Sequence, residues 1–337
     1  IRDKAGKIIK VPGKLKFCKA VGWFLEEHNT TQVSINLTNY KKTSLHKVFE
    51  EVRKQSRKRG VRVTGSEIVG LVPKKAMLDA GIYYLNKQKQ STGIPEDDII
   101  NIAIKSLGLN DISVFDIAEK IIENKILSDI TLLDKNLKMF IDDVSRGTPT
   151  PGGGSVSALA ASLGASLSSM VSNLTINKKG FENHRKLHLK KAKTCQNYKT
   201  ILNNLINEDT NAYNMVLNAI RMPKKTTAEK DKRNKDVLNA TKYAAEIPLN
   251  ILKVCNNLIS DVYSVALYSN PNSISDIGVA NDLIYAASKG AIYNIKINIK
   301  DLNKNDIKYF SNQIEYYFKQ VEDTYTNISN HVNKVLS

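Results

Sequence analysis

Asp209 is the residue of this 337-residue chain best placed to move a proton. It lies in NLINEDTNAYNMVLNAIRMPK, beside Glu208, within a pattern whose other positions Leu205, Ile206, Ala212, Tyr213 and Val216 recur at helical spacing. Ala212 and Tyr213 follow it by three and four positions and share its face, so the carboxylate stands at the edge of a packed surface rather than in open solvent. A carboxyl group beside apolar surface has its pKa raised toward the working range of a general acid or base. An acidic pair on a helix is also the ordinary composition of a solvated face, and the residues alone leave both readings open.

A second constellation is TPTPGGGSVSALAASLGASLSSMVSNLT, from Thr148 to Thr175. Pro149 and Pro151 fix φ and delay a helix, while Gly152, Gly153 and Gly154 permit backbone angles and close approaches that a Cβ blocks. Ser155 sits where an N-cap is wanted. Beyond it, Ala161, Gly164, Ala165, Ser168 and Ser169 recur at three- and four-residue spacing, which puts small side chains where another helix can come close. A glycine turn feeding a helix N-terminus offers free N–H groups to a carboxylate or phosphate, and it also serves as a plain turn before a buried helix. The uncharged run from Val156 to Leu174 is long enough to cross a bilayer, but Ser and Ala dominate it, so no membrane span is expected.

Other candidates carry less. In SISDIGVANDLIYAASKGAIYNIKINI, Asp276 either caps the helix it opens or faces a ligand, and Asn294 bonds either a helix neighbour or a ligand. His184 and His188 are four apart, yet Lys and Arg crowd around them and no further ligands follow, so no metal site is expected. Cys18, Cys195 and Cys255 lie far apart, without metal spacing, as in a reducing compartment without a disulfide framework. The chain opens on IRDKAGKIIK, without Met or an apolar signal core, which reads as a piece cut from something longer and places it in the cytoplasm. The formal charge of +17 raises nucleic acid as a partner. The lysines are scattered through Asn- and Ile-rich segments rather than gathered in a stripe, so no nucleic-acid partner is expected.

The elements that must position these residues fall into two kinds. FCKAVGWFL and QVSINL read as strands joined by EEHNTT, Thr43 to Arg59 as an amphipathic helix, and VRVTGSEIVGLV (61–72) as a third strand interrupted by Gly65 and Gly70. Pro73 opens the helix KKAMLDAGIYYL, and Asp97 to Leu107 adds a short one. This order predicts a small α+β, ferredoxin-like subdomain over 1–123, followed by a linker over 124–131. From 132 to 337 the pattern is all-α, a helical bundle, with helices over Lys138–Val144, the small-residue stretch, Phe181–Arg221, Thr227–Ala245, Pro248–Ser260, Ile274–Asn298 and Asn305–Leu336. Pro223 and Pro248 are expected to break or kink it, and the β-branched run Ala291–Ile299 leaves room for a strand.

With these residues in view, TPTPGGGSVSALAASLGASLSSMV resembles the opening helix of formiminotetrahydrofolate cyclodeaminases. AVGWFLEEHNTTQVSINLTNY and VTGSEIVGLVPKKAMLDA resemble the C-terminal subdomain of glutamate formiminotransferase. Their order is that of the bifunctional formiminotransferase-cyclodeaminase family, and together they cover nearly the whole chain. The resemblance implies conversion of 5-formiminotetrahydrofolate to 5,10-methenyltetrahydrofolate and ammonia, in histidine degradation and one-carbon metabolism. It implies no cofactor beyond the folate substrate, a polyglutamylated tetrahydrofolate whose tails a positive surface attracts.

Asp209-Thr-Asn-Ala-Tyr213, followed by Met222-Pro223-Lys224, is similar to the family's D-x-x-A-[FY] setting and carries the catalytic role. The family's second Asp is replaced by Asn207. Gly152, Gly153, Gly154, Ser155, Asp276 and Asn294 are the expected substrate-binding residues, Asp276 toward the pterin's donor edge. The catalytic His of the transferase has no match here, so transferase activity is not expected of this chain alone. The family also implies a homo-oligomer, a dimer or ring of dimers, in which small-residue helices stack and the turn and Asp209 need not touch within one chain. The other reading is a non-catalytic folate-binding or assembly module.

Overall fold

A computed structural model of the chain describes residues 13–26, 29–126 and 131–337. They fall into two compact units, within the bounds Ile1–Gln90 plus Pro95–Ser128 and Ser91–Ile94 plus Asp129–Ser337. Residues 127–130, in the expected linker, lie outside the described residues, as does the N-terminal IRDKAGKIIKVP.

In the first unit, β1 (Cys18–Leu25) and β2 (Thr30–Leu37) form an antiparallel hairpin with Cys18 opposite Leu37 and Leu25 opposite Thr30. Helices α1 (Leu45–Arg57), α2 (Lys74–Lys87), α3 (Glu96–Leu107), α4 (Ile117–Lys120) and α5 (Ile122–Ile126) follow. The unit is α+β, but the third strand expected over 61–72 is not formed, which leaves the ferredoxin-like layout without that strand. The reason lies in bonds to a distant part of the chain. Ser66 donates its N–H to the Gly108 carbonyl at 3.0 Å and its hydroxyl to the Leu107 carbonyl at 2.6 Å, so the segment bonds the end of α3 instead of a strand. Only Val72 bridges, to Ile121. Helices α2 and α3 pack closely at Gly81, where a β-carbon would stand 2.1 Å from the Ile99 carbonyl oxygen.

The second unit is all-α: α6 (Leu137–Ser145), α7 (Gly153–Ile176), α8 (Arg185–Ile220), α9 (Thr227–Tyr268), α10 (Ile274–Asn298) and α11 (Lys304–Leu336). The core is aliphatic, with Leu202, Ile206, Leu252, Ile259, Ile277 and Ile284 fully buried. Residues 291–298 are helical, not a strand, because Ala291, Ile292 and Ile295 keep the buried helical face of α10.

Pro248 does not end a helix. Helix α9 begins at a capping box of Thr226 and Glu229 and runs 42 residues through it. A proline removes the N–H that the carbonyl four residues earlier should receive. That carbonyl belongs to Ala244, and Asn298 of α10 supplies the missing donor from Nδ2 at 2.7 Å.

Helix α7 is the one helix among the described residues long and apolar enough to cross a bilayer, yet most of it is buried in the protein. It lies antiparallel to both α8 and α10. Advancing along it, Ser155, Ser162 and Ser169 bond the Ile206 carbonyl, Asn203 and the Ala192 carbonyl of α8 in turn, at heptad spacing. On its other side Gly164 admits Ile284 of α10, whose Cγ1 would be 2.7 Å from a β-carbon there. Ala158, Ala161, Gly164, Ala165, Ser168 and Ser169 are therefore consumed by helices of the same chain, and stacking on a partner's copy of this helix is not what their small size serves.

Candidate active site

The first turn of α7 and the middle of α8 meet at Asp209. Gly152 is the N-cap of α7 in an extended conformation and has no side chain with which to cap the helix. The early N–H groups of a helix lack intrahelical acceptors, so one must come from elsewhere. Asp209 provides it: the Ser155 N–H donates to Oδ2 at 2.9 Å, and the Ser155 hydroxyl lies 3.1 Å from the same oxygen and 3.0 Å from the Ile206 carbonyl. The other carboxylate oxygen lies over Gly154, where a β-carbon would stand 2.0 Å from Oδ1. Gly154 is thus the residue that lets the carboxylate reach the helix. The turn and Asp209 touch within one chain, contrary to the expectation that they need not.

Burial is the largest influence on Asp209 and raises its pKa above the ordinary aspartate value, against the lowering by the Ser155 hydroxyl and N–H. The neighbouring acidic and amide groups are otherwise engaged. Glu208 accepts from the Tyr243 hydroxyl at 2.7 Å, and Asn207 accepts from the Leu132 N–H at 3.1 Å. Neither acts as a second carboxylate for Asp209. The segment entering the turn is anchored by the buried Asp143, which pairs with Lys135 and with Arg146.

Asn294 belongs to this place. Its Nδ2 would be 3.2 Å from a β-carbon on Gly153, while it donates to the Gly290 carbonyl at 2.8 Å within its own helix. Gly152, Gly153, Gly154, Ser155, Asp209 and Asn294 therefore converge. Asp276 does not join them within the chain: it lies in the first turn of α10, eighteen residues from Asn294, about 27 Å along the helix. Nor does it cap α10, whose N-cap is Ser273 without a side-chain bond.

The two histidines are engaged by one residue. His188, fully buried, bonds the Tyr268 carbonyl through Nε2 at 2.8 Å, and His184 stacks on the Tyr268 ring. Among the described residues no three His, Cys, Asp or Glu side chains gather as a metal-binding group. The three cysteines are free, and burial pushes the Cys195 and Cys255 thiols up to about 12.

Sequence reasoning missed the Ser155 bond to Asp209, the engagement of Glu208 by Tyr243, and the place of Gly154 under Oδ1. Each joins residues tens of positions apart. The only local signal was the glycine run itself.

A family model described as formiminotransferase-cyclodeaminase matches residues 136–314, and one described as formiminotransferase domain matches 1–127. The formimidoyltransferase-cyclodeaminase of Rattus norvegicus is 34% identical over 300 residues, 88% of this chain and 55% of its own length. The chain thus spans little more than half of that relative. The methenyltetrahydrofolate cyclohydrolase of Methylorubrum extorquens is 36% identical over 173 residues, 50% of this chain and 82% of that protein. The crystal structure of formiminotetrahydrofolate cyclodeaminase from Thermotoga maritima aligns over 61% of this chain and 100% of that one, with TM-score 0.56 and 26% identity.

Proposed function

Because the chain belongs to the formiminotransferase-cyclodeaminase family, we propose that its second unit converts 5-formiminotetrahydrofolate to 5,10-methenyltetrahydrofolate and ammonia. The observation that carries this is the Asp209 carboxylate, half-buried, with Oδ2 held by Ser155 and Oδ1 over the open side of Gly154. In the reaction N10 of the folate attacks the carbon of the protonated formimino group, whose nitrogen enters as =NH2+, and gives its own proton to the carboxylate. The carboxylic acid returns that proton to the resulting amino nitrogen, the carbon–nitrogen bond breaks, and ammonia leaves as the carbon–N10 double bond forms, the positive charge staying on the methenyl product. One carboxylate placed between the two nitrogens serves both transfers and offsets the cationic charge on the carbon. A carboxylate whose pKa is raised takes the N10 proton at a smaller cost than an exposed aspartate, and in return its acid form is the weaker donor to the leaving nitrogen.

The Gly153 and Gly154 N–H groups and Asn294 border the same place and are the groups we assign to the pterin. Asp276, at the far end of α10, is given no part in a site built from a single chain. The first unit, which resembles a formiminotransferase domain, is assigned a folate-facing wall over 32–37 and 65–73. We place the enzyme in the cytoplasm, in histidine degradation, with a polyglutamylated folate as substrate and no further cofactor.

A second copy of the chain is the proposed partner. Large apolar side chains stand on the outer face of α7, Val156, Leu163 and Met170 at heptad spacing and then Leu174, with exposures of 38, 49, 38 and 55%. Val279, Tyr293 and Ile297 on neighbouring α10 are also exposed. Such a stripe is what a helix seam between subunits presents.

The likeness to the Methylorubrum cyclohydrolase favours a second reading, attack of water on the methenyl carbon at the same carboxylate. The test is to give the purified chain 5-formiminotetrahydrofolate and follow methenyl absorbance and ammonia together. Both rising in equal amounts supports the cyclodeaminase. Decay of added methenyl compound without ammonia supports the hydrolase, and folate binding without either product supports the non-catalytic module.

A further inference from the structure

Ser155 presents one hydroxyl proton to two acceptors. The Ile206 carbonyl is 3.0 Å away and Asp209 Oδ2 is 3.1 Å away, so rotation about the Cβ–Oγ bond redirects the proton without moving a heavy atom. The side chain is fully buried, so no water competes for that proton in the ordinary way. Its backbone N–H, fixed by the first turn of α7, holds Oδ2 whichever way the hydroxyl turns. Oδ1 has a different surrounding, because it faces the α-carbon of Gly154. The two oxygens of one carboxylate are therefore unlike: one is saturated with donors and the other is left to the substrate.

We propose that Ser155 is a positioning residue for Asp209: its N–H and hydroxyl hold Oδ2, so that Oδ1 is the oxygen that takes the folate proton and returns it to the leaving nitrogen. The hydroxyl points to Oδ2 while the carboxylate is charged, as a donor to an anion is strongest there. It turns to the Ile206 carbonyl when Oδ1 carries the proton. This deepens the proposed cyclodeaminase reading and rests on it.

The acidic groups flanking the site on α8 and α6 have other partners. On α8 Glu208 is bonded by Tyr243 of α9, and on α6 Asp143 is paired with Lys135 and Arg146. Helix α7 carries no ionisable side chain from Gly153 to Ile176, and α10 presents the amide of Asn294. Burial and the Ser155 bonds are the influences that set where Asp209 titrates.

The experiment compares the wild-type chain with Ser155→Ala, Ser155→Thr and Ser162→Ala, by pH profiles of turnover and by 13C NMR titration of the Asp209 carboxyl. Ser155→Ala keeps the N–H and loses the hydroxyl, so the carboxyl titration and the acid limb both move to higher pH, and kcat falls about tenfold, the size of one hydrogen bond to a charged group. Ser155→Thr keeps the hydroxyl and restores both. Ser162→Ala removes an equally buried serine bond to α8 two turns away and moves neither. If Ser155→Ala does not fold, Ser155→Cys, with its weak donor, takes its place. An unmoved carboxyl titration in a folded Ser155 variant overturns the proposal. An inactive wild type in which the titration still moves overturns the cyclodeaminase reading instead.

Discussion

Gly154 and Asp209 fit together only because Gly154 lacks a side chain: a β-carbon there would stand 2.0 Å from Oδ1 and 2.4 Å from Cγ. The clashing atoms are the end of a side chain rather than backbone, so in Gly154→Ala the carboxylate moves and the helix stays. Helix propensity at this first-turn position favours alanine by up to about 1 kcal/mol. The expected outcome is a chain of unchanged or slightly greater stability whose kcat/KM falls about a hundredfold, the usual cost of misplacing a reacting group by an ångström. Chemical denaturation and methenyl formation measured side by side check this.

The titration of Asp209 links activity to stability. Burial raises its pKa in the folded chain, so between the unfolded value and that raised value the native state holds more protons than the unfolded state. Stability therefore falls as pH rises through this window, and above it the folded chain bears the full cost of a buried charge. Asp209→Asn, which keeps an acceptor for the Ser155 N–H, is expected to melt up to a few degrees higher than wild type at neutral pH and to lose that advantage below the window. The acid limb of wild-type kcat/KM lies above the ordinary aspartate range for the same reason. Melting curves across pH and a pH–rate profile are the measurements.

Much of this arrangement was legible in the sequence where the signal was local. The glycine turn, the small-residue helix and the helical setting of Asp209 are each written in one contiguous stretch, and backbone sterics and side-chain periodicity act over such stretches. The absence of a third strand from the first unit was not legible. Alternating apolar residues in VRVTGSEIVGLV suit a strand, but Ser66 finds its acceptors at Leu107 and Gly108. The small face of α7 was read correctly as a place of close approach, and over Gly164 the neighbour that comes close is Ile284 of the same chain. Asp276 and Asn294 share one helix and one sequence segment, which says nothing of their separation along its axis.

Pro248 gives a third prediction. Sequence reading expects a break there, and the helix continues because Asn298 bonds the Ala244 carbonyl. Asn298→Ala leaves that carbonyl without its donor and is expected to cost about 1–2 kcal/mol in the denaturation midpoint. In a Pro248→Ala background the backbone N–H returns, and the same Asn298 substitution should cost measurably less. Equal costs in the two backgrounds refute the compensation.

The outer face of α7 gives a fourth. Leu163 is 49% exposed, at the centre of the apolar stripe from Val156 to Met170. Leu163→Asp places a charge there without entering the core. Sedimentation should show wild type as a dimer or larger assembly and the variant shifted at least tenfold toward monomer, with the far-ultraviolet circular dichroism unchanged. A monomeric wild type refutes the seam.

The most direct measurement is the single-turnover formation of 5,10-methenyltetrahydrofolate from 5-formiminotetrahydrofolate, by wild type and by Asp209→Ala at equal folded concentration. Wild type is expected to form the methenyl product with one ammonia per folate, and Asp209→Ala to form it about a hundredfold to ten-thousandfold more slowly, the range of a lost general acid–base group. Equal rates in the two proteins would contradict the assignment of Asp209 as the proton carrier.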